Sequence, residues 1–201
     1  MLPKALTDVI NALSALPGVG SRTAERYAYF LFRANPKLSE TLSATLSSLH
    51  SGVKSCPKTF ALIDSDADFS EFYSDPSRDK TSILVVEEPL DIYAIEQTKA
   101  YRGTYHVLGG AISPIDGITP QELHIKELLS RIPDDSVKEV IIATNPSVEG
   151  ESTALFLQRV LSERFPELKI TRLARGLPLG VDLSYADQIT LSAALENRTK
   201  L

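Results

Sequence analysis

Residues 145–154 read Asn-Pro-Ser-Val-Glu-Gly-Glu-Ser-Thr-Ala and directly follow the apolar run Val140–Ala143. The polar stretch predicts a loop at the carboxyl end of a buried strand, and Glu149–Phe165 is predicted to form the helix that follows. Open α/β sheets place their functional side chains at strand ends of this kind. The stretch therefore predicts an α/β fold and indicates which edge of its sheet carries the site.

Between residues 83 and 173 the predicted strands alternate with predicted helices. The strands are short apolar runs at Ile83–Val86, Tyr105–Leu108, Val137–Ala143 and Lys169–Leu173. Pro89 is expected in the first turn of one helix, and the capping box Thr119–Glu122 is expected to open another that runs to Arg131. Such alternation predicts a mostly parallel sheet.

The first 52 residues predict three helices. Apolar spacing predicts a helix over residues 4–15, Ser21 is expected to cap a second that runs to Arg33, and Ser39 to cap a third. The hairpin Leu16-Pro17-Gly18-Val19-Gly20 joins the first two helices. Its glycines let the backbone approach a phosphate closely, and the next helix adds free N–H groups.

Gly18, Gly20, Arg22 and Arg26 are the candidate DNA-binding residues. Because Arg22 and Arg26 are four residues apart, they share one face of the second helix beside the hairpin. A basic stripe next to a glycine hairpin suits contact with the sugar–phosphate backbone, whatever the base sequence. The alternative is an ordinary connection between helices with solvated arginines.

Composition bounds the function further. The chain has 201 residues, 43% of them hydrophobic, so it can bury a substantial core. It lacks an apolar run of about 18 residues and an N-terminal signal-peptide pattern, so a cytoplasmic protein is expected. Its single cysteine, Cys56, fits a reducing compartment.

Charge is distributed unevenly along the chain. The net charge is −5, yet residues 1–35 carry four basic side chains against two acidic ones. Residues 61–100 carry ten acidic side chains against three basic ones. The basic N-terminal region favours nucleic acid, and the acidic middle region favours a basic protein partner or simple solvation.

The 145–151 loop resembles that of Toprim nucleic-acid enzymes, which carry Asp at its first and third positions to hold Mg²⁺. Here those positions are Asn145 and Ser147. An amide and a hydroxyl replace two carboxylates poorly, because a hard divalent cation is held mainly by anionic oxygen. Glu87, at the end of the predicted strand Ile83–Val86, would be the carboxylate nearest the metal. The resemblance therefore implies a Toprim scaffold without catalysis.

Over nearly its whole length the chain resembles the RecR family of bacterial recombination mediators. The resemblance is carried by Leu16–Arg26, Ser74–Asp79, Val85–Pro89, Tyr101–Gly110, Ser113–Ile118, Ala143–Glu151 and Arg172–Gly180. It implies a helix-hairpin-helix region at 1–53, a zinc-finger-like module at 54–79, a Toprim domain at 80–174 and an assembly segment at 175–201. Asp182–Leu191 would be a Walker B-like element in the last of these.

In the family, the zinc finger uses four cysteines, and the chain departs from that pattern. The four positions hold Cys56, Thr59, Ser70 and Tyr73. Since a structural zinc site needs four thiolate or imidazole ligands, no metal or other cofactor is expected here. Cys56 is expected to be a packed, inert thiol, and packing to maintain the finger-like fold.

The resemblance also implies partners. Family members assemble as rings around DNA, here expected to be tetramers, and act with RecO and RecF to load RecA onto gapped DNA. Glu87, Glu88, Glu149 and Glu151 are the candidate docking residues for RecO. The function predicted is a non-enzymatic, nucleoid-associated recombination mediator. Two alternatives remain: a Mg²⁺-dependent Toprim nuclease or primase-like enzyme, and an adaptor that binds only proteins.

Overall fold

The computed structural model describes residues 2–174, 176–177, 180 and 182–198. The chain divides into two compact units, Met1–Lys54 and Ser55–Leu201. Three residues of the predicted motif Arg172–Gly180, namely Arg175, Pro178 and Leu179, lie outside the described residues.

The first unit is helical, as expected, but its caps differ from those predicted. Helices α1 (Lys4–Ser14), α2 (Ser21–Arg33) and α3 (Pro36–Gly52) follow in order. The N-cap of α2 is Gly20 rather than Ser21. The N-cap of α3 is Asn35 rather than Ser39, and its side chain accepts a 3.0 Å hydrogen bond from the Lys37 N–H. The helix starts earlier than expected because Pro36 fits the first helical position.

A small module follows the three helices in the chain. Strands β1 (Val53–Ser55) and β2 (Leu62–Asp64) form a two-stranded sheet, and the short helix α4 (Glu71–Ser74) follows. This module leads into the first strand of the main sheet.

The main sheet is parallel, so the predicted architecture is confirmed. It contains β3 (Asp79–Val86), β4 (Gly103–Val107), β5 (Glu139–Ile142) and β6 (Lys169–Arg172), in the order β4-β3-β5-β6. Helices α5 (Pro89–Glu96), α6 (Ile125–Asp134) and α7 (Val148–Arg164) connect successive strands. Because β4 and β5 lie on opposite sides of β3, the chain changes direction there, and such points form crevices at the carboxyl ends of strands.

The central strand β3 is buried on both faces. Ile83 and Val85 contribute to a core with residues of α6 and α7, whereas Leu84 and Val86 contribute to a second core that includes Ile92 of α5. Ala61 and Phe72 of the small module also pack in the second core. The module is therefore part of the hydrophobic packing of the sheet.

Helix α6 begins later than the sequence suggested. The Thr119 N–H donates to Glu122 Oε2 at 2.6 Å, as a capping box predicts. However, the His124 N–H donates to the Leu108 carbonyl at 2.9 Å, and residues 120–124 form turns. The helix starts only at Ile125, because this bond ties the preceding residue to the end of β4.

After β6 the described residues form a 3₁₀ helix at Leu183–Tyr185 and helix α8 (Gln188–Glu196). The predicted Walker B-like segment falls mostly on these two helices. Asp187 caps α8 by accepting a 2.9 Å hydrogen bond from the Thr190 N–H. Within the described part of the chain, no helix is long and apolar enough to cross a membrane.

Candidate functional site

The glycine hairpin connects α1 to α2. Gly18 has a φ of +77°, which glycine adopts without strain, and the Val19 N–H closes the turn on the Leu16 carbonyl at 3.1 Å. No side chain caps α2 at Gly20, and the first N–H groups of a helix lack intrahelical acceptors. An added Cβ at either glycine would meet no atom within 4 Å. The hairpin therefore offers open backbone donors suited to an anion such as phosphate.

The arginines predicted beside the hairpin are accessible. Arg22 and Arg26 are both exposed on α2, whereas Ala24 and Ala28 of the same helix are buried. The Arg26 guanidinium lies 5.9 Å from the ring centroid of Tyr27. The two arginines and the hairpin thus lie together at the start of one helix.

At the carboxyl end of the main sheet, Glu87 is held by Asn145. Glu87 is only 7% exposed. Its Oε1 accepts a 2.8 Å hydrogen bond from the Asn145 backbone N–H, and its Oε2 accepts a 2.6 Å bond from the Asn145 side-chain amide. Both carboxylate oxygens therefore have a donor from one residue, which joins the end of β3 to the loop after β5.

Ser147 and Gly150 shape the rest of this loop. Ser147 is the N-cap of α7, and its Oγ accepts a 3.0 Å hydrogen bond from the Gly150 N–H. An added Cβ at Gly150 would overlap the Asn145 carbonyl and would lie 2.7 Å from Glu87 Oε1. Glycine is required there because the start of α7 passes so close to the Glu87–Asn145 pair.

These contacts do not fit the Mg²⁺ that the Toprim resemblance implies. A magnesium site is held mainly by anionic oxygens, yet the loop supplies the Asn145 amide and the Ser147 hydroxyl, which already serves as a helix cap, beside the Glu87 carboxylate. The Asn145 side-chain amide points its N–H at the carboxylate, where a cation would otherwise balance the charge. The two residues that replace aspartates thus have structural uses here.

The four predicted docking acids occupy different surroundings. Glu87 is buried, while Glu151 forms a two-pronged ion pair with Arg172 at 2.8 and 2.7 Å. Glu88 and Glu149 are exposed at the starts of α5 and α7. Since α5 follows β3 and α7 follows β5, these two exposed acids lie at the same end of the sheet.

The four predicted zinc positions separate into a group of three and a single residue. Cys56 and Thr59 are fully buried, and Ser70 is 2% exposed. The Thr59 and Ser70 hydroxyls lie 2.9 Å apart, within hydrogen-bond distance. Burial raises the pKa of the Cys56 thiol, but hydrogen bonds from Thr59, Lys58 and Ser70 outweigh it, so the pKa falls below its ordinary value. Tyr73 instead donates its hydroxyl to Asp135 Oδ1 at 2.9 Å.

Sequence reasoning missed the role of Arg131. This side chain is 2% exposed, and its Nε donates to Asp135 at 2.7 Å. Its terminal nitrogens donate to the Tyr105 carbonyl and to Thr104 Oγ1, each at 2.6 Å. A basic residue at a core position of the predicted helix was the available signal, since arginine is almost never buried unless paired.

Two motifs of the RecR resemblance form a second polar network that sequence reasoning left without a role. Arg78 makes a two-pronged ion pair with Glu96 at 2.9 and 2.6 Å, and Tyr105 donates its hydroxyl to the same carboxylate. Hydrogen bonding to Arg78 lowers the pKa of Glu96, while burial and the bond to Glu96 raise the pKa of Tyr105. These contacts fasten the segment before β3 to α5.

Comparison with known proteins covers the same regions. The family model described as "RecR, helix-hairpin-helix" matches residues 6–50, "Toprim domain" matches residues 81–174, and "RecR, C-terminal" matches residues 176–199.

Curated relatives match over nearly the full chain. Recombination protein RecR of Nocardia farcinica is 48% identical over 198 residues, which cover 96% of each chain. The protein of that name from Moorella thermoacetica is 48% identical, covering 99% of this chain and 98% of the relative. That from Acidothermus cellulolyticus is 44% identical, covering 100% and 99%. With this identity along the whole chain, together with the hairpin and the loop after β5, the protein belongs to the RecR family of recombination proteins.

Proposed function

We propose that this protein is a non-enzymatic DNA-binding mediator of recombinational repair, which acts with RecO and RecF at the nucleoid to load RecA onto gapped or single-stranded DNA. Family membership supports the general role. The observation that carries DNA binding is the uncapped start of α2 at Gly20 beside two exposed arginines. Backbone N–H donors and guanidinium groups together recognise phosphates without reading bases.

The enzymatic alternative is disfavoured by the surroundings of Glu87. A metal-dependent nuclease or primase needs carboxylates that are free to bind cations and hold them near the reacting phosphate. Here, the carboxylate at the site is already bonded through both oxygens. The adaptor alternative, which binds only proteins, leaves the open hairpin and its arginines without a use.

DNA binding can be tested by changing Arg22 and Arg26 to alanine together. We expect weaker binding to every DNA sequence. The slope of log K against log salt concentration should also become shallower by up to about two, since each phosphate contact releases about one counterion. Arg159→Ala with Arg164→Ala is the matched control, because it removes two exposed arginines from α7 in the other unit. Wild-type affinity in the Arg22/Arg26 variant would refute the assignment.

Docking of RecO is proposed at the two exposed acids at the carboxyl end of the sheet. Glu88 and Glu149 lie beside the apolar side chains Leu90 and Val148, which are 71% and 79% exposed. A surface with acidic and apolar groups suits a basic partner that also buries apolar area. In this proposal Glu87 supports the surface from beneath, while Glu151 contributes through its pair with Arg172.

The docking proposal is tested by reversing Glu88 and Glu149 to lysine. RecO binding, measured by calorimetry, should weaken much more than DNA binding does. Glu163→Lys, an exposed reversal at the other end of α7, is the control. Equal loss of RecO binding in the control, or none in the double variant, would place the docking surface elsewhere.

Ring assembly, expected to be tetrameric, is supported by two separate apolar surfaces. In the first unit a groove of about 510 Å³ is lined by apolar side chains that include Pro3, Leu6, Val9, Tyr29, Phe32 and Leu42. Near the C-terminus Leu183, Tyr185 and Ile189 are 65–83% exposed. Two surfaces let each chain contact two neighbours, as a closed ring requires.

Light scattering should then show smaller assemblies for Phe32→Glu and for Tyr185→Glu, and an unchanged mass would count against the corresponding surface.

A further inference from the structure

Cys56, Thr59 and Ser70, called here the Cys56 cluster, form a compact hydrogen-bonded group. The Cys56 sulfur accepts hydrogen bonds from the backbone N–H groups of Thr59 at 3.5 Å and Ser70 at 3.3 Å. The Thr59 and Ser70 hydroxyls bond to each other at 2.9 Å, and Thr59 Oγ1 also accepts from the Ala61 N–H at 3.3 Å. The cluster therefore joins residues 56–61 to Ser70, which follows Thr59 by 11 residues.

The donors of this cluster do not suit zinc. One thiol and two hydroxyls replace the thiolates that a structural zinc needs, and both hydroxyls are already bonded to each other. The fourth position, Tyr73, directs its hydroxyl away to Asp135. Among the residues that the structure describes, no group of three or more His, Cys, Asp or Glu side chains could hold a metal ion. Hydrogen bonds join the two segments at the place where the resemblance puts a metal.

Lys58 and Thr59, which follow Cys56 in the chain, connect the cluster to strand β4 of the main sheet. Strand β4 is an edge of the main sheet, and its Val107 N–H donates to the Thr59 carbonyl at 2.8 Å. On the neighbouring residue, the Lys58 carbonyl accepts a 3.4 Å bond from Arg131, which also donates to Tyr105 of β4. Thr59 directly, and Lys58 through Arg131, therefore satisfy the outward-facing Val107 N–H and Tyr105 carbonyl of β4, where a bare strand edge would expose backbone donors and acceptors to another chain.

We propose that the Cys56 cluster is a metal-free replacement for a structural zinc centre, and that it holds residues 58–59 against β4 so that this edge of the sheet stays closed. Thr59 has both tasks, since its side chain belongs to the cluster while its carbonyl accepts from Val107. Tyr73 secures the other side of the module through Asp135, which is itself paired with Arg131. The module consequently keeps its fold without zinc.

The first test measures zinc content and the effect of a chelator. Purified wild-type protein should contain well under one zinc per chain by elemental analysis, and a chelator should not change its melting temperature. Stoichiometric zinc, or a melting temperature that falls when the metal is chelated, would overturn the proposal.

The second test removes the hydroxyl pair with Thr59→Val and Ser70→Ala and follows amide hydrogen exchange. Exchange at the Val107 N–H should accelerate by about fivefold, the factor that corresponds to the loss of about 1 kcal/mol for one net hydrogen bond, and by more than at Val85 of the buried strand β3. Thr119→Val with Ser162→Ala makes the same chemical changes at exposed positions and should leave exchange at Val107 unchanged.

Should the double variant fail to fold, Ser70→Ala alone removes one hydroxyl and gives the same readout. If Val107 exchanges no faster in the cluster variant than in the exposed control, the cluster does not hold the edge and the proposal is wrong.

Discussion

Asn145→Asp is the sharpest test of how the loop after β5 is built. The substitution removes the side-chain N–H that lies 2.6 Å from Glu87 Oε2 and places a second carboxylate there. Loss of a hydrogen bond to a charged group costs about 1.5–3 kcal/mol. Repulsion between the two carboxylates adds to this cost. The repulsion is limited, because one carboxylate can take up a proton instead, and raising its pKa from an ordinary Asp value near 3.9 to 7 costs about 4 kcal/mol. Because a protonated aspartic acid at position 145 could again donate to Glu87, this cost sets the ceiling, and we expect a loss of about 2–4 kcal/mol in the free energy of unfolding at pH 7.

The assay is urea denaturation of the intact protein between pH 5 and 7. The deficit of the variant relative to wild type should shrink as the pH falls, because a proton bound by the carboxylate pair relieves the repulsion. Added Mg²⁺ should stabilise the variant more than wild type, because paired carboxylates are the ligands that this cation prefers. Asn35→Asp is the matched control: Asn35 is exposed and caps α3, and Asp is an equally good cap. If Asn145→Asp is as stable as Asn35→Asp at pH 7, Asn145 does not hold Glu87 as described.

Two further predictions concern the main sheet. In Gly103→Ala the new Cβ would overlap the Tyr101 hydroxyl and lie 2.7 Å from the Ser82 carbonyl, so the free energy of unfolding should fall by about 1–3 kcal/mol. The control is Gly52→Ala, whose Cβ would enter open space and should leave stability unchanged. Equal melting temperatures for the two variants would contradict this prediction. Burial lowers the pKa of His106 to about 3 in the folded protein, whereas the unfolded chain keeps a value near 6.5. As the pH falls from 6.5 towards 3, only the unfolded chain takes up this proton. The free energy of unfolding should therefore fall by up to about 1.4 kcal/mol per pH unit. In His106→Gln, urea denaturation at a series of pH values should show a weaker dependence of the free energy of unfolding on pH. An unchanged dependence would mean that other groups cause it.

The sequence predicted the order of the elements because apolar periodicity reports local structure directly. The runs at Ile83–Val86 and Lys169–Leu173 correspond to β3 and β6, and their alternation with helices was enough to predict a parallel sheet. Helix starts were harder. Both Ser21 and Ser39 are good capping residues, yet Gly20 and Asn35 hold the caps, because the neighbouring backbone decides which residue lies outside the first turn.

The candidate residues divide in the same way. The hairpin at Gly18 and Gly20 could be read from sequence, because its geometry depends on adjacent residues, and a positive φ at Gly18 is a local requirement. The use of Asn145 could not be read, because its partner Glu87 lies 58 residues earlier in the chain. The sequence indicated only that a metal carboxylate was absent.

The succession of strands, helices and the glycine hairpin along the chain could be predicted from the sequence, since each element depends on side chains close together in the chain. The polar contacts that hold the second unit together could not be predicted in this way, because their partners meet only after folding. Arg131 reaches the carbonyl of Lys58 across 73 residues, and Thr59 meets Ser70 across 11. The physical reason is that burial demands a partner for each polar group but does not specify which one. Packing of the sheet, the small module and α6 makes that choice.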